Sequence, residues 1–162
     1  MLIHWVWYAT RTGMGDKTKS VLLSHFEDPE AIYFAPEPEL ERFEDLSPAA
    51  VESLMEKELR ECERILDRCR EQGIHILTFQ DAAYPARLKN IPDPPMVLYY
   101  KGTIPAFDEL PVIGVVGTRK ASVYGLTTAK RMGYQIAACG GCVVSGMATG
   151  IDGVAMKGAL TR

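Results

Sequence analysis

The rhythm of apolar and polar positions changes twice along the 162 residues. From the start to about residue 72, apolar side chains recur at intervals of three and four, the period of a helix with one buried face. The clearest stripe is Val51, Leu54, Met55, Leu59, Cys62, Ile65, Leu66 and Cys69. It predicts one helix, started by Ser47-Pro48 as cap and first-turn proline and stopped by Gly73. An earlier helix is expected through Val21, Leu22, Leu23 and Phe26, behind the Gly13-Met14-Gly15 turn and with Asp16 as its N-cap. Residues 36–39, rich in Pro and Glu, interrupt the helical segment. From residue 74 the period shortens. Residues 74–79 and 97–100 read as short strands, joined by the rigid connections Tyr84-Pro85 and Ile91-Pro92-Asp93-Pro94-Pro95. From residue 112 strand and helix alternate. Residues 112–116 form an apolar run of the kind found in buried parallel strands, followed by a helix over 125–138. Residues 142–145 form the next strand, followed by a helix to the end. Two tandem strand–helix units predict an α/β fold: a helical module over 1–72, then a parallel sheet within 73–162.

Composition narrows the class. Hydrophobic residues make up 47% and charged residues 24%, ordinary globular usage that excludes a disordered tail or a supercharged arm. No apolar run approaches the roughly 18 residues of a membrane span. The apolar start, residues 1–8, has no basic residue before it and no small-residue cleavage site after it. A cytoplasmic protein with no membrane partner is expected. The net charge of −3 conceals an asymmetry. Residues 1–100 hold 11 basic and 18 acidic side chains, whereas residues 101–162 hold seven basic and three acidic ones. An anionic partner is therefore expected on the second part.

Cysteines and histidines add no chemistry. Cys62 and Cys69 lie two helical turns apart, too far for a disulfide, and read as core residues. Cys139-Gly-Gly-Cys142 follows a helix and precedes a strand, the wrong end for stabilising a thiolate, and reads as a helix stop and turn. His4, His25 and His75 are scattered, so no metal site is expected.

The candidate chemistry lies at the carboxyl ends of the two parallel strands, the edge where open α/β sheets bind ligands. The first turn is Gly117-Thr118-Arg119-Lys120-Ala121-Ser122-Val123-Tyr124-Gly125 and the second is Ser145-Gly146-Met147-Ala148-Thr149-Gly150-Ile151-Asp152. Glycines let backbone approach a phosphate, and helix N-termini supply unpaired N–H groups. Arg119 offers a planar fork and Lys120 a point charge; Thr118, Ser122 and Ser145 offer hydroxyls. The dinucleotide and P-loop fingerprints are both absent, as are a Ser-His-Asp set and paired catalytic carboxylates. Asp152 sits at a helix start, where it complements the dipole. The reading is a phosphate-binding surface without catalytic apparatus or cofactor.

These residues resemble a known family. Tyr84-Pro85, Leu88, Ile91, Asp93-Pro94-Pro95, Leu98-Tyr99 and Lys101-Gly102, then the two turns, then Gly158-Ala159-Leu160, are similar in order and spacing to the DprA/Smf family of DNA-processing proteins. The resemblance covers residues 84–160. It implies an extended Rossmann-like domain that binds single-stranded DNA, helps load a RecA-type recombinase during natural transformation, is a homodimer at full length and performs no catalysis. It implies that Arg119 lines a basic pocket for the DNA backbone. Gly117, Thr118, Lys120, Ser122, Tyr124, Gly125, Ser145, Gly146 and Gly150 would frame that pocket, with Asp152 structural. The family's Ala-His after that acid is Ala155-Met156 here, which leaves the histidine's role without a counterpart.

The first segment resembles a SAM-like module of paired helix-hairpin-helix motifs, with Gly13-Met14-Gly15 as one hairpin turn. Lys17 and Lys19 favour DNA contact there; the carboxylates over residues 27–63 oppose it, and packing or protein docking is the expected role. Only about 50 residues remain for an α/β fold that commonly takes about 100. The resemblance therefore implies the front part of a longer protein with half of its pocket, an incomplete parallel sheet and weak DNA binding in isolation. The alternative expectation is a nucleotide-hydrolysing enzyme of the lysine-decarboxylase-like or LOG type, whose Pro-Gly-Gly-x-Gly-Thr turn neither visible turn supplies.

Overall fold

The apolar opening run forms the centre of a core. In the computed structural model, which describes residues 1–161, Leu2–Thr10 is helix α1. Val6, Trp7 and Tyr8 on it are fully buried, and His4 and Trp5 nearly so. A helix apolar on nearly all sides must be wrapped by others. Here those are α2 (Asp16–Phe26), α3 (Pro29–Phe34), α4 (Glu37–Leu40), α5 (Pro48–Met55) and α6 (Arg60–Glu71). They contribute Leu22, Leu23, Ile32, Leu40, Val51, Leu54 and Cys62 to one cluster with α1.

Two sequence expectations change. Asp16 is not the cap of α2: Gly15 holds that position, and the Asp16 carboxylate lies 3.3 Å from the Lys19 ammonium. The helix expected from Ser47 to Gly73 is two helices. Ser47 does cap the first, its hydroxyl accepting from the Ala50 N–H at 3.1 Å. At Glu56 the backbone then becomes extended (ψ 101°). Its carbonyl accepts from the Trp7 indole at 2.9 Å and from Arg11 at 3.1 Å, so the core of α1 replaces the helical partner. The apolar stripe continues across the break, which is why periodicity alone does not reveal it.

Strand β1 (His75–Thr78) and strand β2 (Val97–Tyr100) pair antiparallel, His75 opposite Tyr100 and Thr78 opposite Val97, with the short helix α7 (Ala86–Lys89) between them. Met96 and Val97 belong to the same buried cluster as α1. The chain accordingly divides into compact units at Ile104/Pro105. The compositional boundary drawn at 72/73 instead separates the helices from the antiparallel pair that packs with them.

In the second unit, β3 (Val112–Gly114) and β4 (Cys142–Val144) run parallel, with Val112 opposite Cys142 and Gly114 opposite Val144. Helix α8 (Val123–Ala138) links them, and α9 (Ile151–Leu160) follows β4. Helices α8 and α9 pack against each other through glycines. A Cβ on Gly133 would lie 2.0 Å from the Ala155 carbonyl oxygen, and one on Gly158 would lie 2.1 Å from that of Lys130. Among the described residues, no helix is long and apolar enough to cross a membrane.

One group in the first unit makes stability depend on pH. The Lys57 ammonium lies 5.1 Å from the Trp7 ring centre and 5.2 Å from that of Tyr33, buried and without a hydrogen-bond acceptor among the described residues. Burial, then the Arg11 guanidinium, pushes its pKa down to about 8. A pKa lower in the folded than in the unfolded chain means that the charged form opposes folding. That penalty is complete below pH 8 and is relieved as pH rises toward the unfolded value of 10.5. Thermal stability should therefore increase between about pH 8 and pH 9.5, and Lys57→Met should abolish the increase. Melting curves across this range check it; an unchanged rise in the variant contradicts the assignment.

Candidate nucleic-acid interface

The parallel register places both glycine-rich turns at one edge of the β3–β4 pair, because both strands end there. The turns are tied to each other by three contacts. The Gly117 N–H donates to Asp152 Oδ1 at 2.9 Å, and the Ile151 N–H donates to the Thr118 carbonyl at 3.3 Å. The third contact is steric. Gly150 has φ +100°, and a Cβ there would lie 2.3 Å from the Thr118 oxygen and 2.8 Å from the Arg119 Cα. Only glycine lets the second turn seat itself under the first. Gly117 has a similar role, since a Cβ on it would meet Ile151 at 2.7 Å.

Asp152 is thus more than a dipole complement. Its carboxylate is buried and holds an amide of the first turn, while Gly146 lies next to its other oxygen. The Gly117 amide is consequently not a donor for a ligand. Neither are those of Lys120 and Gly125. Lys120 N–H donates to the Thr118 hydroxyl at 3.2 Å, and Gly125 N–H to the Ser122 hydroxyl at 3.1 Å, which caps α8. The sequence offers Thr118 and Ser122 as ligand hydroxyls; the structure uses their oxygens to shape the loop. The Ser145 hydroxyl is buried with no hydrogen-bond partner among the described residues. Met147 carries a positive φ of 55°, uncommon for a side chain of its kind, in the second turn.

What the loop presents outward is charge and apolar surface. Arg119 and Lys120 are exposed, and Tyr124 is 79% exposed on the first turn of α8. The amides of Val123 and Tyr124, at the start of a 16-residue helix, have no intrahelical acceptor. In the first unit Arg11, Lys19, Arg60, Arg64 and Arg70 each pair with a carboxylate, while Lys17, Arg42, Lys57, Arg68, Lys89 and Lys101 make no ion pair among the described residues. In the second, Arg119, Lys120, Lys130, Arg131 and Lys157 make no ion pair among the described residues, and Asp152 is already engaged. Of these, Arg119 and Lys120 lie just before the N-terminus of α8, where unpaired cations attract anions. The ion-pair asymmetry is invisible in the sequence except as the difference in net charge.

The first hairpin turn presents no comparable surface. A Cβ on Gly13 would lie 2.8 Å from the Ala50 nitrogen, so this turn is packed against the start of α5. Lys19, counted in favour of DNA contact, is buried and donates to the Ala9 carbonyl at 3.1 Å. The Lys17 amide is capped by Asp93 at 2.8 Å.

Comparison with known proteins gives consistent matches. The family described as DNA recombination-mediator protein A matches residues 75–162. The chain is 36% identical over 111 residues to the DNA processing protein DprA of Bacillus subtilis strain 168, an alignment covering 68% of this chain and 37% of that protein. It is 28% identical over 153 residues to protein Smf of Synechocystis sp., covering 92% of this chain and 38% of the relative. Among solved structures, the X-ray structure of DNA processing protein A from Streptococcus pneumoniae matches with a TM-score of 0.70 at 23% identity. That match covers 98% of this chain and 53% of the other, and it shows the fold. The chain therefore spans under two-fifths of the curated relatives' length and about half of the solved one.

Proposed function

The chain belongs to the DNA recombination-mediator protein A family, and from that premise we propose that it binds single-stranded DNA by its phosphate backbone, without catalysis, as one part of a DNA-processing protein. The observation that carries this reading is the unpaired Arg119–Lys120 couple on a loop locked by Asp152 and Gly150. Arg119 would take a phosphate through two parallel N–H donors, and Lys120 would add a point charge. The free amides of Val123 and Tyr124 would serve a neighbouring phosphate at the α8 N-terminus. Gly117, Thr118, Ser122, Gly125, Ser145, Gly146, Gly150 and Asp152 would build and hold the surface rather than supply most of its charge. Transfer of the bound strand to a RecA-type recombinase, and homodimerisation, are the family roles we extend to the whole protein.

Hydrogen exchange with and without a 20-nucleotide oligothymidylate at low ionic strength tests the site. Slower exchange is expected over residues 117–125 and 145–152. Protection confined to residues 1–71 would overturn the placement.

A further inference from the structure

Helix α8 presents a second feature, on its outer face. Its buried residues Ala129, Gly133 and Ala137 repeat every four positions and face the packed side. Away from them, on the far side and one flank, lie Tyr124, Thr127, Arg131 and Tyr134, at intervals of three, four and three, which form one stripe on a helix. All four are exposed, Tyr124 by 79% and Tyr134 by 47%. Arg131 has no ion-pair partner among the described residues, and α8 contains no acidic residue. The stripe starts at the Arg119–Lys120 turn, and at 1.5 Å per residue its two tyrosines are about 15 Å apart, with the arginine between them.

An aromatic, a cation and a second aromatic along one exposed line match the chemistry of a single strand. Bases of non-adjacent nucleotides stack on the two rings, and the cation meets a phosphate of the strand running between them. A duplex keeps its bases stacked on each other and has none to offer. We propose that the outer face of α8 is a stacking track for the bases of single-stranded nucleic acid, with Tyr124 and Tyr134 as platforms and Arg131 as the intervening phosphate contact. The track rests on the reading of the neighbouring turn as a phosphate site, and it extends that site from backbone to base.

The test separates the two. Affinity of the 162-residue chain is measured at low ionic strength for labelled oligothymidylate of 20 nucleotides and for an abasic strand with the same phosphates. The native chain should prefer the strand with bases, by about tenfold for each tyrosine engaged. Tyr124→Ala with Tyr134→Ala should erase the preference for the strand with bases, whereas Tyr124→Phe with Tyr134→Phe should retain it. Arg131→Gln should weaken both strands alike. Equal affinity of the native chain for the two strands would overturn the track and leave the phosphate site standing, as would a preference that survives both alanines. Failure of the native chain to bind either strand would overturn both. Circular dichroism of the double-alanine variant confirms the fold; if it is unfolded, Tyr134→Ala alone carries the test, expected to lose about tenfold of the preference, and an unchanged preference would overturn the track.

Discussion

Replacing Gly133 by alanine should destabilise the second unit, although alanine is the better helix former. The intrinsic preference favours alanine by about 1 kcal/mol in a helix interior. Against it stands a Cβ placed 2.0 Å from the Ala155 carbonyl oxygen, a backbone atom of another helix. Neither side can relieve that overlap by a rotamer change, so α8 and α9 must separate and lose contact along their length. Overpacking typically costs about 1–3 kcal/mol, and a clash that backbone alone must relieve falls at the upper end, which outweighs the propensity gain. Gly158→Ala meets the same obstacle at Lys130 and should behave alike. Gly125→Ala is the contrast. Its Cβ would find its nearest neighbour at 3.4 Å, ordinary contact, so that variant should fold at least as well as the native chain. Hydrogen exchange of residues 123–138 and 151–160 distinguishes them: fast in Gly133→Ala and Gly158→Ala, unchanged in Gly125→Ala. Equal protection in all three would show that the two helices are not held at backbone distance.

Replacing Arg119 by alanine should leave folding intact and weaken DNA binding by roughly ten- to a hundredfold. The side chain is exposed and makes no hydrogen bond or ion pair among the described residues, so the fold loses nothing with it. A charge-assisted bond to phosphate contributes about 1.5–3 kcal/mol, which corresponds to a factor of roughly ten to a hundred. Arg119→Lys keeps the charge and loses the planar fork, so it should fall between the two. Oligonucleotide titrations of the three proteins give the order. Identical affinities would remove Arg119 from the site.

Much of this was legible in the residues before any coordinates. The alternation of apolar runs with glycine-rich turns after residue 112 specifies parallel strand–helix units, but the burial that such runs suggest is not met, since Ile113 and Val144 are each 43% and Val116 81% exposed. The charge difference between the two parts marks the second as the basic one. Other features arise only from tertiary contact. The helix expected over 47–73 breaks at Glu56 because Trp7 and Arg11, some 45–49 residues away, take its carbonyl. Asp152 reads as a dipole complement until Gly117, 35 residues earlier, is seen donating to it. Thr118 and Ser122 look like ligand donors until their oxygens are found closing the loop. Lys19 looks like a DNA contact until it is found buried. In each case local pattern states what a residue can do, and the packing decides which of those options it takes.

The central claim is that the turn over residues 117–125, seated on residues 145–152, holds phosphate through Arg119 and Lys120. Its most direct test is the salt dependence of single-stranded DNA binding. Each phosphate neutralised contributes a slope of about −0.7 to the logarithm of affinity against the logarithm of salt concentration. With Arg119 and Lys120 engaged, the slope should be about −1.4 or steeper, and Arg119→Ala should reduce its magnitude by about 0.7. An affinity that does not change with salt, or a slope unaffected by removing Arg119, would contradict the account.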